Sequence, residues 1–284
     1  MKIVECPRDA MQGWAHFIPT DRKIAYLNQL LKVGFDVLDF GSFVSPKAIP
    51  QMADTKDVIK ELEIPADSKT KLLAIIANSR GAQDAQQYDK ISYLGFPFSI
   101  SETFQLRNTN KTIEASLEEV KTIHQIATEA QKEAVIYISM GFGNPYQDAY
   151  SPDIAIDWFK KLTDLGIKNI ALADTIGVAN EAVIQEVFNA VIGNDYFKDV
   201  NIGAHFHSTA ANWDEKIDAA YKCGVRSFDT ALKGIGGCPM AQDDLVGNIA
   251  TENVVYYAEK NQIPLHIDKA EFDKSMMMAN NIFI

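Results

Sequence analysis

The alternation of short β-rich runs with longer helical stretches constrains this chain more than any other property of its sequence. Eight runs rich in Val, Ile, Leu, Phe and Tyr read as strands: Lys2–Cys6, Val37–Ser42, Leu72–Ala77, Ile91–Gly95, Val135–Met140, Asn169–Asp174, Asn201–His207 and Ser227–Leu232. Several are nearly continuous apolar runs, as expected of parallel strands covered on both faces. Helical patterns separate them, at Asp21–Val33, Thr55–Leu62, Gln83–Tyr88, Ile113–Lys132, Pro152–Leu165, Glu181–Ile192, Ala210–Cys223 and Asp244–Lys260. Ser151 before Pro152 is a helix start, and Gly34, Gly166 and Gly224 are helix stops. The stretch from Gly95 to Asn110 reads as a long loop, and Ala270–Ile284, with Met276, Met277 and Met278, as a terminal packing segment. Eight strand–helix units predict an α/β fold, a (β/α)8 or TIM barrel, as a single domain over residues 1–284. An open doubly wound sheet is the alternative, but no Gly-x-Gly-x-x-Gly follows the first strand, so a dinucleotide site lacks support.

Composition narrows the function classes. A formal net charge of −11 argues against a nucleic-acid partner, which needs a concentrated basic surface. No apolar run reaches the ~18 residues that cross a bilayer, so no membrane partner is expected. Three cysteines, Cys6, Cys223 and Cys238, do not make a disulfide framework, and the chain opens directly on a strand pattern. The expected location is the cytoplasm.

In a barrel, reactive groups collect at the carboxyl ends of the strands. Here those ends run into Pro7-Arg8-Asp9, Asp174-Thr175, His205-Phe206-His207 and Gly236-Gly237-Cys238-Pro239. Residues two apart on a strand point the same way, so His205 and His207 converge on one point. Two imidazoles are half of a metal site, and Asp9 from strand one supplies oxygen. The alternative is that one or both histidines are hydrogen-bonding core residues. Arg8, directed into the barrel mouth, can stabilise an enolate or oxyanion, or else pair with a surface carboxylate. Cys238 follows two glycines in a loop able to close over the site as a proton donor, or packs as a small hydrophobe. Asp174 either orients a ligand or caps the Thr175-Ile176-Gly177 turn. His16, His124 and His266 lack such company and read as structural.

These motifs, with Ser42-Phe43-Val44-Ser45-Pro46-Lys47, Pro50-Gln51-Met52, Asp174-Thr175-Ile176-Gly177-Val178, Gly236-Gly237-Cys238-Pro239, Gly247-Asn248 and Ala250-Thr251-Glu252, resemble the 3-hydroxy-3-methylglutaryl-CoA lyases. That family belongs to the metallolyase barrels, with isopropylmalate, citramalate and homocitrate synthases as relatives. The resemblance runs in order from Lys2 to about Tyr257. It implies a retro-Claisen cleavage of a hydroxymethylglutaryl thioester of coenzyme A to acetyl-CoA and acetoacetate, as in leucine degradation. It also implies Mg²⁺ or Mn²⁺ held by Asp9, His205, His207 and Asn248. Arg8 would stabilise the enolate and Cys238 would protonate it, with Asp9, Asp39 and Asp174 completing the catalytic set. Gln12, Ser42, Lys47 and Thr175 would contact the acyl-CoA substrate, and the assembly would be a homodimer.

The sequence departs from the family pattern in defined places. Cys6 replaces the glycine that usually leads the Pro-Arg-Asp motif, and a lysine that usually follows it is absent from Gly13-Trp14-Ala15-His16. Asp39 stands for a glutamate, Ser208 for an aspartate and Met240 for a tyrosine, and one extra residue separates Cys238 from Asn248. Without that lysine, Lys47, Arg107 and Lys111 are the nearest basic candidates for coenzyme A phosphates. Two other readings compete: a lyase or Claisen-type synthase for another 3-hydroxyacyl-CoA or hydroxy acid, and a non-catalytic metal-binding barrel.

Overall fold

The computed structural model describes residues 1–237 and 246–284. Eight parallel strands form the barrel: β1 (Lys2–Glu5), β2 (Val37–Ser42), β3 (Lys71–Ile75), β4 (Ile91–Ser99), β5 (Glu133–Ser139), β6 (Asn169–Asp174), β7 (Asn201–Ser208) and β8 (Ser227–Thr230). Their hydrogen-bonded order runs from β6 down to β1, then β8 and β7, and a β6–β7 pairing closes the cylinder. A ninth, two-residue strand, β9 (Gly247–Asn248), runs antiparallel to the end of β7 and pairs Asn248 with His207.

Helices α1 (Pro7–Gln12), α2 (Thr20–Val33), α3 (Thr55–Glu61), α4 (Ser79–Ala85), α5 (Glu102–Thr109), α6 (Ile113–Glu129), α7 (Pro152–Asp164), α8 (Glu181–Val191), α9 (Trp213–Cys223), α10 (Thr251–Lys260) and α11 (Lys269–Ile282), with short 3-10 turns at Pro50–Met52, Asp195–Phe197 and Leu232–Gly234, complete the described elements. The main core lies between barrel and helices. Outward-facing strand residues such as Leu72, Phe96, Phe98, Phe206 and Phe228 are fully buried there, against Leu27, Val120, Phe159 and Phe188 from the helices. Side chains of opposite parity point inward, where Leu73, Ile75, Tyr137 and Ala171 form a smaller apolar plug beneath the mouth. None of the described helices is long and apolar enough to cross a membrane.

Three expectations are corrected. The stretch from Gly95 to Asn110 is not a loop: β4 continues to Ser99 and α5 follows, its first turn capped by the Ser101 side chain, which accepts from the Phe104 amide. Pro97, which has no N–H to donate, lies within this extension of the strand. It is tolerated because β4 pairs with β3 only as far as Gly95, so beyond that point only β5 needs its hydrogen bonds. Arg8 and Asp9 sit not on a strand end but on α1, a six-residue helix opened by Pro7. The helix expected over Asp244–Lys260 begins at Thr251: Asp244 lies outside the described residues, and Gly247–Asn248 is strand. The methionine-bearing segment is α11, in which Phe272, Ser275 and Ala279 are buried and Phe283, just beyond its end, packs edge-on against Trp14.

Glu5 is a polar residue on the outward face of β1. It is fully buried, accepting from the Leu232 amide at 2.9 Å and from the Thr251 hydroxyl. Burial pushes its carboxyl up to about 8, against the lowering effect of those two donors. Because the folded pKa lies above the unfolded value, the unfolded chain releases this proton first as pH rises. Stability is therefore lost between about pH 4.5 and 8, by at most ~1.4 kcal/mol per pH unit. Glu5→Gln is expected to remove that decline, so urea unfolding at pH 5 and pH 8 should give a flatter profile than the parent. Parallel profiles would show that Glu5 does not hold its proton.

Candidate metal centre and active site

The inward parity of β7 sends both His205 and His207 into the barrel mouth, with their Nε2 atoms 3.3 Å apart. Asp9 reaches the same point from α1, so that one ligand atom from each of the three lies within 4.8 Å of the others. The mouth opens into a cavity of about 250 Å³, whose lining includes Arg8, Asp9, Gln12, Tyr137, His205 and His207.

Hydrogen bonds define what this cluster can hold. His205 Nδ1 lies 3.1 Å from Asp229 Oδ2 across the β7–β8 ladder. That contact puts the proton on Nδ1 and leaves Nε2 a lone pair. Burial disfavours a charged His205, but the Asp229 carboxylate outweighs it and the pKa rises. His207 behaves in the opposite way. Burial and the neighbouring His205 push it down to about 4, so it is neutral at physiological pH, and its ring is offered the Thr175 main chain as hydrogen-bond partner. With the ring proton directed to that carbonyl, Nε2 of His207 also carries a lone pair. Two imidazole nitrogens thus face one another beside a carboxylate, and with both rings neutral their lone pairs converge on a point that a cation satisfies. The donor set fits a divalent metal.

Asp9 is held on both oxygens. Arg8 Nη1 and Gln12 Nε2 donate to Oδ1 at 2.9 and 2.7 Å, and Asn248 Nδ2 donates to Oδ2 at 2.6 Å. Burial alone would raise its pKa, but Arg8, the two imidazoles and Asn248 together lower it. Gly236 lets Asn248 approach. Its φ is +111°, and a Cβ there would stand 2.4 Å from Asn248 Nδ2 and 2.9 Å from Asp9 Oδ2.

Arg8 is the cation of the site. Its Nε and Nη2 clasp the Asp39 carboxylate, the shortest contact being 2.5 Å, while Nη1 reaches Asp9. Burial disfavours the guanidinium, but the two carboxylates outweigh it, so Arg8 stays charged. Three of its five N–H groups are engaged, leaving one on each Nη. Asp39 is fully buried behind Arg8 and does not line the cavity, and burial raises its carboxyl to about 6.

The other expected residues divide. Gln12 and Thr175 line the cavity, the Thr175 hydroxyl accepting from the Met140 amide. Ser42 is buried at the end of β2 and lines a separate cleft with Thr55 and Asn78. Lys47 is exposed on the following loop, Arg107 stacks on the Tyr146 ring, and Lys111 pairs with Glu119. Asp174 points away from the cavity. Its carboxylate caps the next turn, accepting from the Val178 and Ala179 amides, and forms a buried ion pair with Lys216 on α9. Cys238 lies outside the described residues. His16, His124 and His266 are remote from the cluster. Sequence reasoning missed Asp229, although an inward-parity aspartate on the strand beside the histidines was the available signal.

Comparison with known proteins agrees with this geometry. Residues 2–278 match the HMGL-like family model. The chain is 33% identical over 261 residues to hydroxymethylglutaryl-CoA lyase YngG of Bacillus subtilis, covering 92% of this chain and 85% of that one. It is 32% identical over 260 residues to a human cytoplasmic 3-hydroxy-3-methylglutaryl-CoA lyase, covering 90% and 68%. An HMG-CoA lyase from Acinetobacter baumannii, solved with coenzyme A and 3-methylmalate, superimposes with a TM-score of 0.90 at 32% identity, over 100% of this chain and 91% of that one. An HMG-CoA lyase from Pseudomonas aeruginosa does so with a TM-score of 0.90 at 28% identity, over 99% and 92%. With barrel, histidine pair and family model in agreement over nearly its whole length, this chain belongs to the HMGL-like family.

Proposed function

We propose that the protein is a divalent-metal-dependent carbon–carbon lyase that cleaves 3-hydroxy-3-methylglutaryl-CoA to acetyl-CoA and acetoacetate. The observation that carries this reading is the convergence of two imidazole nitrogens and the Asp9 carboxylate beside a buried, charged Arg8 at the barrel mouth. Near-full-length likeness to lyases of that name supplies the substrate.

Asp9, His205 and His207 would hold the cation. Asn248 joins them by turning its amide, so that the oxygen rather than the nitrogen meets the site. The mixed nitrogen and oxygen set favours Mg²⁺ or Mn²⁺. When bound, the cation supplies Lewis acidity to the C3 hydroxyl and a template for the carboxylate. The C2–C3 bond breaks as the hydroxyl gives its proton to solvent and C3 becomes the ketone of acetoacetate, while the electron pair of the broken bond becomes the enolate of acetyl-CoA. Arg8 directs its two free N–H groups at that oxyanion. Asp39 orients the guanidinium from behind and acts through it rather than on the substrate. Cys238 is our proposed donor of the proton that the enolate carbon regains, and its thiolate then recovers a proton from solvent, so the proton released and the proton consumed balance over the cycle. Gln12 steadies Asp9, and Tyr137 packs edge-on against His205. The proposal extends to a homodimer with residues 1–284 as one unit, and to the cytoplasm, the location named for one relative.

The test is a direct assay. Purified protein with 3-hydroxy-3-methylglutaryl-CoA and Mg²⁺ or Mn²⁺ is expected to release acetoacetate and acetyl-CoA in equal amounts. EDTA should abolish turnover and added metal should restore it. A folded, metal-loaded sample that does not cleave this thioester would overturn the substrate assignment and redirect it to other 3-hydroxyacyl thioesters.

A further inference from the structure

Lys216 stands outside the barrel on α9, yet its side chain is only 1% exposed. A buried ammonium with no role in the cavity calls for an account, because desolvating it is costly unless every donor is matched. All three of its donors are matched: Nζ donates to Asp174 Oδ2 at 2.6 Å, to the Gly177 carbonyl at 2.9 Å and to the His207 carbonyl at 2.8 Å. Two of the acceptors belong to the turn that follows β6. The third is the main chain of a proposed metal ligand.

The same turn carries Thr175, whose main chain partners the His207 ring, and Asp174, which holds the turn through the Val178 and Ala179 amides. Lys216 therefore grips His207 twice, once through its own carbonyl and once through the turn that orients its imidazole. We infer that Lys216 is a positioning residue for the metal centre, fixing His207 by tying the end of β7 to the turn after β6. This rests on the metal-binding reading above. It adds a control point three layers out: cation, His207, turn and carbonyl, then ammonium. Partners that orient a ligating histidine typically change metal affinity by ~10–100-fold when lost.

Mn²⁺ titration followed by electron paramagnetic resonance of the free ion tests the role without relying on turnover. Lys216→Met is expected to weaken Mn²⁺ binding at least tenfold, and to lower activity at limiting Mn²⁺ far more than at saturating Mn²⁺. Lys216→Met alone leaves the buried Asp174 carboxylate unpaired and can unfold the chain. The Asp174→Asn/Lys216→Met pair removes both charges at nearly constant shape and should keep its circular dichroism while still binding Mn²⁺ at least tenfold more weakly. Either folded variant binding Mn²⁺ as tightly as the parent, with only a lower Tm, would reduce Lys216 to a structural ion pair and overturn the inference. A parent protein that takes up no Mn²⁺ would remove the metal centre, and this role with it. A parent that binds normally beside unchanged variants would remove only the role of Lys216.

Discussion

Arg8→Met is expected to lower kcat on the order of 10³-fold while leaving Mn²⁺ binding within about tenfold of the parent, because Gln12 and Asn248 still hold Asp9 and removal of a neighbouring positive charge offsets the lost hydrogen bond. Losing one preorganised donor to a developing oxyanion commonly costs 10²–10³-fold in kcat, and Arg8 has two N–H groups free for that task. The fold should survive for a reason specific to this site. Asp39, left behind in a fully buried position, already has its carboxyl at about 6 with Arg8 present. Without the guanidinium it rises further and takes up a proton at neutral pH. The variant then buries a neutral acid rather than a lone charge, at a cost of about 1–3 kcal/mol. Arg8→Lys should not rescue the rate, because a single ammonium cannot clasp Asp39 with two nitrogens and keep donors for the substrate. Steady-state kinetics at saturating metal decide the matter. A fall in kcat of less than tenfold for Arg8→Met would take the arginine out of the chemistry.

Asp9→Asn is expected to weaken Mn²⁺ binding by more than the ~10–100-fold lost with an outer-shell partner, and to abolish turnover at ordinary metal concentrations. Asp9 is the only carboxylate in the three-residue cluster, and Asn preserves its volume while removing its charge. Three donors, from Arg8, Gln12 and Asn248, already converge on this carboxylate. An amide accepts on one atom only, so its NH₂ group would face at least one of those donors without a partner. Mn²⁺ resonance titration gives the affinity, and circular dichroism confirms the fold. Unchanged binding in Asp9→Asn would place the cation elsewhere and dismantle the proposed centre.

The two predictions differ in how far they were legible in the chain. Period-two geometry placed His205 and His207 on one side of one strand, and the barrel aims that side at the mouth. Arg8 and Asp9 were recognisable as rim residues, although α1 rather than β1 carries them. The Gly236–Gly237 pair read as part of a loop able to close over the site, and Gly236 is where Asn248 and Asp9 crowd the backbone. Alternation of strand and helix determined a parallel α/β sheet, because each parallel strand needs a covering crossover before the next can pair, while the β6–β7 pairing that closes it into a barrel is a tertiary contact.

Other residues acquired their meaning only from the tertiary structure. Asp39 and Asp174 look alike in sequence, each an aspartate near a strand end, but parity and packing separate them. One faces inward and clasps Arg8, while the other faces α9 and pairs with Lys216. Asp229 became the partner of His205 through the β7–β8 register, which sets residues 24 apart in the chain opposite one another. Lys216 is an ordinary helical lysine by local pattern, and only the docking of α9 against the ends of β6 and β7 buries its ammonium among three acceptors. The physical reason is one of range. Hydrophobic period and turn chemistry act over a few residues and determine the elements and the direction each side chain takes from its own strand. Which groups then meet depends on register and helix docking summed over the closed barrel, and those contacts set the charges, the protonation states and the ligand geometry of the site.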